Sequence, residues 1–181
     1  MRHPLLIGLA LLLLTGCAAT PKTRYYLLSV EPPANAVPAL TQPGGLALTA
    51  LHLPATTDRP QLVVRTGALT VDIREFDRWA EPFDTMVRQT LVQDLELRRG
   101  VSVPGREERR LFVEIDEFMA DTAGQARVSG HWWTLTAGED QSQKLEKSFT
   151  LTQPMASSAG TEVPAAMSAL LGKLADEIAS N

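Results

Sequence analysis

Two apolar runs, "RRLFVEIDEFMAD", Arg109–Asp121, and, after four intervening residues, "ARVSGHWWTLTA", residues 126–137, set the architecture of the chain. Both runs are rich in the branched, aromatic and aliphatic residues that suit a pleated surface, and the intervening "TAGQ" is short and glycine-bearing. They read as two long strands of one hairpin, antiparallel neighbours in a sheet. A third strand follows in "KLEKSFTLTQ", residues 144–153, where Leu145, Lys147, Phe149 and Leu151 alternate with Glu146, Ser148 and Thr150. The polar "GEDQSQ" returns the chain antiparallel to the second strand.

"WAEPFDTMVRQTLVQDLELRRG" precedes the hairpin. Phe83, Met86, Val87, Thr90, Leu91, Asp94 and Leu95 fall three and four apart, so they line one face of a helix. Pro82 suits its first turn, Glu81 and Asp84 its positive end, and Arg98, Arg99 and Gly100 its close. Asp94 interrupts the stripe. Beside Arg98 it reads as a helix-flank position, the alternative being a buried acid with a function. At the other end of the chain, "TEVPAAMSALLGKLADEIASN" places Val163, Met167, Leu170, Leu171, Leu174 and Ile178 on one face of a second helix, with Thr161-Glu162 able to cap it.

Toward the N-terminus, "QLVVRTGALTVDI", residues 61–73, reads as two short strands turning at Thr66-Gly67. "LALTALHL", residues 46–53, is apolar on both alternations, the pattern of a strand covered on both faces. "RYYLLSV", residues 24–30, is a further strand, and residues 31–45, with four prolines and two glycines, form a loop. Runs of strands broken by two helices specify an α+β fold: an antiparallel or mixed sheet with two main amphipathic helices packed on one face. The strand order is left open.

The first residues are of another kind. Arg2 and His3 precede "LLIGLALLLL", an apolar core of about ten residues, too short for the roughly 20 that cross a bilayer. Leu14-Thr15-Gly16-Cys17 then ends the run with the single cysteine of the chain. This resembles the lipobox of bacterial lipoproteins, and it divides the chain into a signal peptide (1–16), a tether (17–23) and one periplasmic domain (24–181). The resemblance implies cleavage before Cys17, a diacylglycerol thioether on its sulfur and an acyl chain on its new amino group. One acyl chain holds a protein only marginally, whereas two or three fix it to the membrane. The alternative is an ordinary signal peptide whose cleavage region happens to contain a cysteine. Ala18, where an aspartate would mark inner-membrane retention, favours the outer membrane.

Without the leader the chain loses one cation, Arg2, leaving 16 against 21 acids and a formal charge of −5. That balance argues against a nucleic-acid binder. The domain has no cysteine and must rely on packing. Catalytic patterns are absent: there is no nucleophile elbow, phosphate loop or dinucleotide fingerprint. His52 and His131 stand in strands without an acid or histidine at metal-ligand spacing, so no metal or cofactor is expected beyond the chains on Cys17. Glu75, Asp77, Glu81 and Asp84, interleaved with Arg74 and Arg78, read as paired surface charge rather than acid–base machinery. Trp132 and Trp133, being adjacent in a strand, face opposite sides. One enters a core; the other meets a second layer or a partner.

These parts together resemble the ABC-type transport auxiliary lipoproteins, the paraquat-inducible protein C (PqiC) type. The residues that carry the resemblance are Tyr25-Tyr26-Leu27-Leu28, Leu53-Pro54, Asp58-Arg59-Pro60, Val63-Val64-Arg65 and, most specifically, Arg78-Trp79-Ala80-Glu81-Pro82 before the helix. The proline-rich insert and the short lead after Cys17 depart from the pattern. The resemblance implies a non-enzymatic subunit on the periplasmic face of the outer membrane. It would dock an inner-membrane lipid transport system with a mammalian-cell-entry-domain protein as partner, and would form a homo-oligomeric ring. Arg and Trp carry energy at protein contacts, which makes Arg59, Arg65, Arg78, Trp79, Trp132 and Trp133 the candidate partner-binding residues. For Trp79 the equal alternative is a staple of the helix start onto the sheet. The rival function is a structural or assembly lipoprotein for another outer-membrane machine.

Overall fold

The computed structural model describes residues 21–33, 46–99, 109–136, 144 and 146–181. In chain order its elements are β1 (Arg24–Tyr26), β2 (Leu46–His52), β3 (Gln61–Gly67), β4 (Thr70–Trp79), α1 (Phe83–Arg99), β5 (Arg109–Asp121), β6 (Gln125–Leu135), β7 (Lys147–Pro154) and α2 (Glu162–Ala179). The signal peptide, Cys17, Gly100, most of the 31–45 loop and the "GEDQSQ" connection lie outside the described residues.

The β5–β6 hairpin is the spine of a seven-stranded mixed sheet. It turns through residues 122–124, where Gly124 takes a left-handed φ of 92° that a side chain would resist. Pairs run from Ala120↔Ala126 to Arg110↔Leu135, broken by a bulge between Ile115 and Glu117. Opposite the bulge stands Gly130: a Cβ there would fall 2.0 Å from the Glu114 carbonyl oxygen, so the two strands can approach only because it is glycine. β7 adds antiparallel to β6. The other edge of β5 takes two strands in succession. β2 lies parallel to its first half, Leu46↔Arg109 to His52↔Glu114, and β3 parallel to its end at Val64↔Ala120. Between them the chain turns out at residues 54–57, the Thr57 amide donating to the Pro54 carbonyl at 3.0 Å. β4 pairs antiparallel with β3, and β1 parallel with β4.

Three sequence expectations change. The β3–β4 turn is at Ala68-Leu69, not Thr66-Gly67, and β4 continues to Trp79, because the register jumps from Leu62↔Arg74 to Gln61↔Arg78 and the residues between bulge out. β1 stops at Tyr26. β2 is covered on one face only: Leu46, Leu48 and Leu51 pack on the core, while the opposite alternation has no described cover.

α1 buries the seven residues of its stripe, and α2 buries its six together with Pro164, Ala166, Ser168, Gly172 and Ala175. Both pack on the face of the sheet that carries Leu111, Val113, Phe118, Val128 and Trp132. At the start of α1, Trp79 stacks on Phe83 with centroids 4.9 Å apart, and Phe83 meets Phe118 at 5.7 Å. Burying an apolar side chain of this size contributes about 1.5–3 kcal/mol. Thr161 occupies the N-cap of α2, but its side chain makes no capping hydrogen bond.

After β1 the chain becomes a strap across both helices. The Ser29 amide donates to Ser168 Oγ (3.0 Å), the Glu31 amide to Asp94 Oδ1 (2.9 Å), and Arg98 Nη1 to the Glu31 carbonyl (3.1 Å). The strap crosses α2 at Gly172, where a Cβ would fall 2.7 Å from that of Glu31. Asp94 is therefore no flank residue but an interior one, 0 % exposed, with Arg98 at 3.3 Å. Burial raises its pKa to about 6; the Glu31 amide and Arg98 oppose the rise and the Glu31 carboxylate adds to it.

Candidate functional site

Helices cover one face of the sheet; among the described residues no helix covers the other, where Val63 and Met119 are nonetheless buried. Cross-strand pairs share a face, so the register places Phe112 with Trp133 and Glu114 with His131 on the bare side. The Phe112 and Trp133 rings stack at 5.3 Å with planes 2° apart, and Lys144 Nζ lies 4.1 Å from the Trp133 ring centre. This is a cation over an indole, an attractive arrangement at a surface. His131 is not isolated from acids: its ring nitrogens lie 3.4 Å from Asp116 and 3.4 Å from Glu146, and Nδ1 is 3.2 Å from Ser148 Oγ. Those neighbours come from β5, from β7 and from the residue just before β7, so linear spacing could not show them. The bond from Lys144 holds the Glu146 carboxyl below its ordinary range. Among the described residues, no group of three His, Cys, Asp or Glu side chains could hold a metal ion.

Farther along the same face, Arg65 Nη2 donates to Glu117 Oε1 at 2.8 Å and lies 3.7 Å from the Met119 sulfur. The pair lines a concavity of about 430 Å³ together with Leu69 and Val71. Arg65 keeps 40 % of its side chain exposed, so the ion pair is a surface feature of modest worth. Arg78, half-buried, pairs with Tyr25 and Gln61 in register and lies 3.8 Å from Glu75. Arg59, in the turn before β3, has its Nε buried without a partner, as does Arg78.

Of the six candidate contact residues, Arg65, Arg78 and Trp133 thus share the bare face. Trp79 and Trp132 go to the helix side and are buried, 5 % and 3 % exposed. The staple describes Trp79: its amide also donates to the Pro60 carbonyl at 2.8 Å, closing the sheet over the helix start. Asp77 departs from the surface-charge expectation. It is buried and receives bonds from Arg24 Nε (2.7 Å) and the Tyr26 hydroxyl (3.1 Å), pinning β1 to β4. Burial, then the bond to Asp77, raises the Tyr26 pKa, and the same carboxylate raises that of Arg24.

The domain is thus a one-sided α+β layer whose other face carries paired charges and stacked rings. Residues 26–179 match the family described as the ABC-type transport auxiliary lipoprotein component, and the chain belongs to that family. It is a family of bacterial membrane-anchored lipoproteins that assist ABC-type transport, not a class of enzymes. Two solved structures share the fold at 20 % identity. One, an uncharacterized protein, superposes with a TM-score of 0.71 over 88 % of this chain and 98 % of its own. The other, a Xanthomonas campestris protein of the family designated DUF330, gives 0.68 over 86 % of this chain and 92 % of its own. No curated protein matches the chain. No helix among the described residues is long and apolar enough to cross a membrane.

Proposed function

We propose that this protein is a periplasmic lipoprotein held by Cys17 on the inner leaflet of the outer membrane, where it docks an ABC-type lipid transport system and supports membrane integrity. The observation that carries the reading is the extent of the family match, which runs from the last residue of β1 to the last residue of α2 and so takes in the whole folded domain. Leu14-Thr15-Gly16-Cys17 supports the anchor, a diacylglycerol thioether plus an N-linked chain of the palmitate type, and Ala18 supports the outer membrane. The role is non-enzymatic and needs no cofactor beyond those chains.

The partner is the mammalian-cell-entry-domain protein of the same system, whose end a homo-oligomeric ring of this subunit would receive. The bare face offers the contact, with Arg65, Arg78 and Trp133 presented on it and Arg59 at its margin. The test is native mass spectrometry on the protein alone and with the partner. A discrete multimer that captures the partner, with capture weakened by Trp133→Ala and by Arg65→Glu, supports the reading. A monomer that ignores the partner refutes it and favours a structural role in another outer-membrane assembly.

A further inference from the structure

Exposed apolar residues are not spread evenly over the domain. Among the described residues, Tyr25, Leu27, Leu69, Val71, Ile73 and Phe76 are large, apolar and exposed, and all lie on β1, on β4 or beside them. Leu97 alone is exposed elsewhere. Leu69, at the tip of the β3–β4 turn, is 98 % exposed. A single residue of this kind is ordinary on a protein surface, but a group on one margin marks a contact. β1 pairs with β4 only from Asp77 to Trp79, so the stretch carrying Val71, Ile73 and Phe76 runs along an edge that no described strand completes.

What meets this margin follows from the chain that leads to it. Pro21, the first described residue, lines a surface concavity together with Lys22, Arg24, Ile73 and Phe76. Cys17 stands four residues earlier. Extended at about 3.5 Å per residue, that segment reaches at most roughly 14 Å. The reach is no more than the radius of gyration of a domain this size, about 15 Å. A bilayer holding the Cys17 lipid is therefore within reach of the β1–β4 margin and out of reach of the opposite side. Charge on the margin is nearly self-cancelling: Arg24 pairs with Asp77 at 2.7 Å, Arg74 with Asp72 at 3.6 Å and Arg78 with Glu75 at 3.8 Å. Such a surface meets lipid through apolar contact rather than through attraction to anionic headgroups.

We infer that the β1–β4 margin rests in the interfacial zone of the bilayer that holds the anchor, with Leu69 and the β3–β4 turn seated among the headgroups. This rests on the lipidation of Cys17. It assigns the margin, Arg78 included, a lipid surface as its partner in place of a protein contact, and leaves the remainder of the bare face, around Arg65, Phe112 and Trp133, free for protein. β7, at the opposite edge of the sheet, is five strand spacings from β1, or about 24 Å, and stays in water.

The test uses the full-length lipidated protein in phosphatidylcholine vesicles. Because the Cys17 thiol is consumed by its thioether, Leu69→Cys and Thr150→Cys each accept an environment-sensitive fluorophore at the new thiol alone. The expected result is a blue-shifted Leu69-site probe whose emission falls when doxyl-labelled phosphatidylcholine is included. The β7 probe keeps its emission, and added phosphatidylglycerol or salt changes neither. A Leu69-site probe that aqueous iodide quenches and doxyl lipid does not, on protein that floats with the vesicles, overturns the inference and leaves the anchor standing. Energy transfer between copies labelled at Leu69→Cys, without lipid quenching, overturns it in favour of a second copy of the chain on this margin. Unmutated protein that takes the label at Cys17 and fails to float overturns the anchor and the inference together.

Discussion

The buried carboxyl of Asp94 makes the fold's stability depend on pH in a direction opposite to that of most carboxylates. Its ordinary value is 3.8 and its value in the fold is about 6, so the fold prefers the neutral acid. The stability this group contributes is fully present below pH 4 and is lost as pH rises through 6. Once the group is fully charged the loss is about 3 kcal/mol, and between pH 5 and pH 7.5 it grows by about 1 kcal/mol. Asp94→Asn keeps an acceptor for the Glu31 amide and puts a neutral group where Asp94 Oδ2 has no partner. Arg98 retains Asp176 at 2.6 Å and the Glu31 carbonyl. The assay is urea unfolding followed by tryptophan fluorescence, since Trp79 and Trp132 are core residues. With a slope of about 2 kcal/mol per molar urea, the wild-type midpoint should fall by about 0.5 M between pH 5 and pH 7.5 beyond any change in the variant. Identical pH dependence in Asp94→Asn and wild type would refute the reasoning and would mean that Arg98 offsets the whole cost of burying the charge.

Two further outcomes follow from the packing. Trp79→Ala removes a buried ring stacked on Phe83 and should cost about 3–5 kcal/mol, whereas Trp133→Ala, half-buried on the bare face, should cost about 1–2 kcal/mol; paired urea titrations decide, and equal losses would contradict the two placements. Gly130→Ala would drive a methyl into the Glu114 carbonyl and should destabilise by about 1–3 kcal/mol or more, read as a lowered melting temperature, while an unchanged value would deny the close approach at the β5 bulge.

How far the sequence could be read depends on how local each feature is. The α1 stripe was legible residue by residue because 3.6-residue periodicity is a local property, and the same seven side chains are buried. The β5–β6 hairpin was legible from its short turn. The end of β4 was hidden because the bulge before Arg78 breaks the alternation that marks a strand. The parallel placement of β2 and β3 on one edge of β5 leaves no trace in either segment. Arg65 and Glu117 are 52 residues apart, and His131 finds its acids on neighbouring strands, so neither constellation has a linear signature. Asp94 announced itself as a break in the apolar stripe, but its depth comes from the strap at Glu31, which no periodicity describes. The adjacency of Trp132 and Trp133 did report their opposite faces, since strand geometry forces that separation.

The end-to-end seating of β2 and β3 on β5 also sets a timetable for assembly. A chain that emerges N-terminus first presents β2 long before Arg109–Asp121 exists to receive it, and a parallel partner cannot be supplied by any nearby turn. Of the early strands only β3 and β4 can close on each other as a hairpin, and β1 must wait for the far end of β4. Closing such long loops costs entropy before any contact repays it. The β5–β6–β7 meander, like the β3–β4 hairpin, pairs through sequence neighbours alone, and β2 and β3 find their places only once the β5 edge exists.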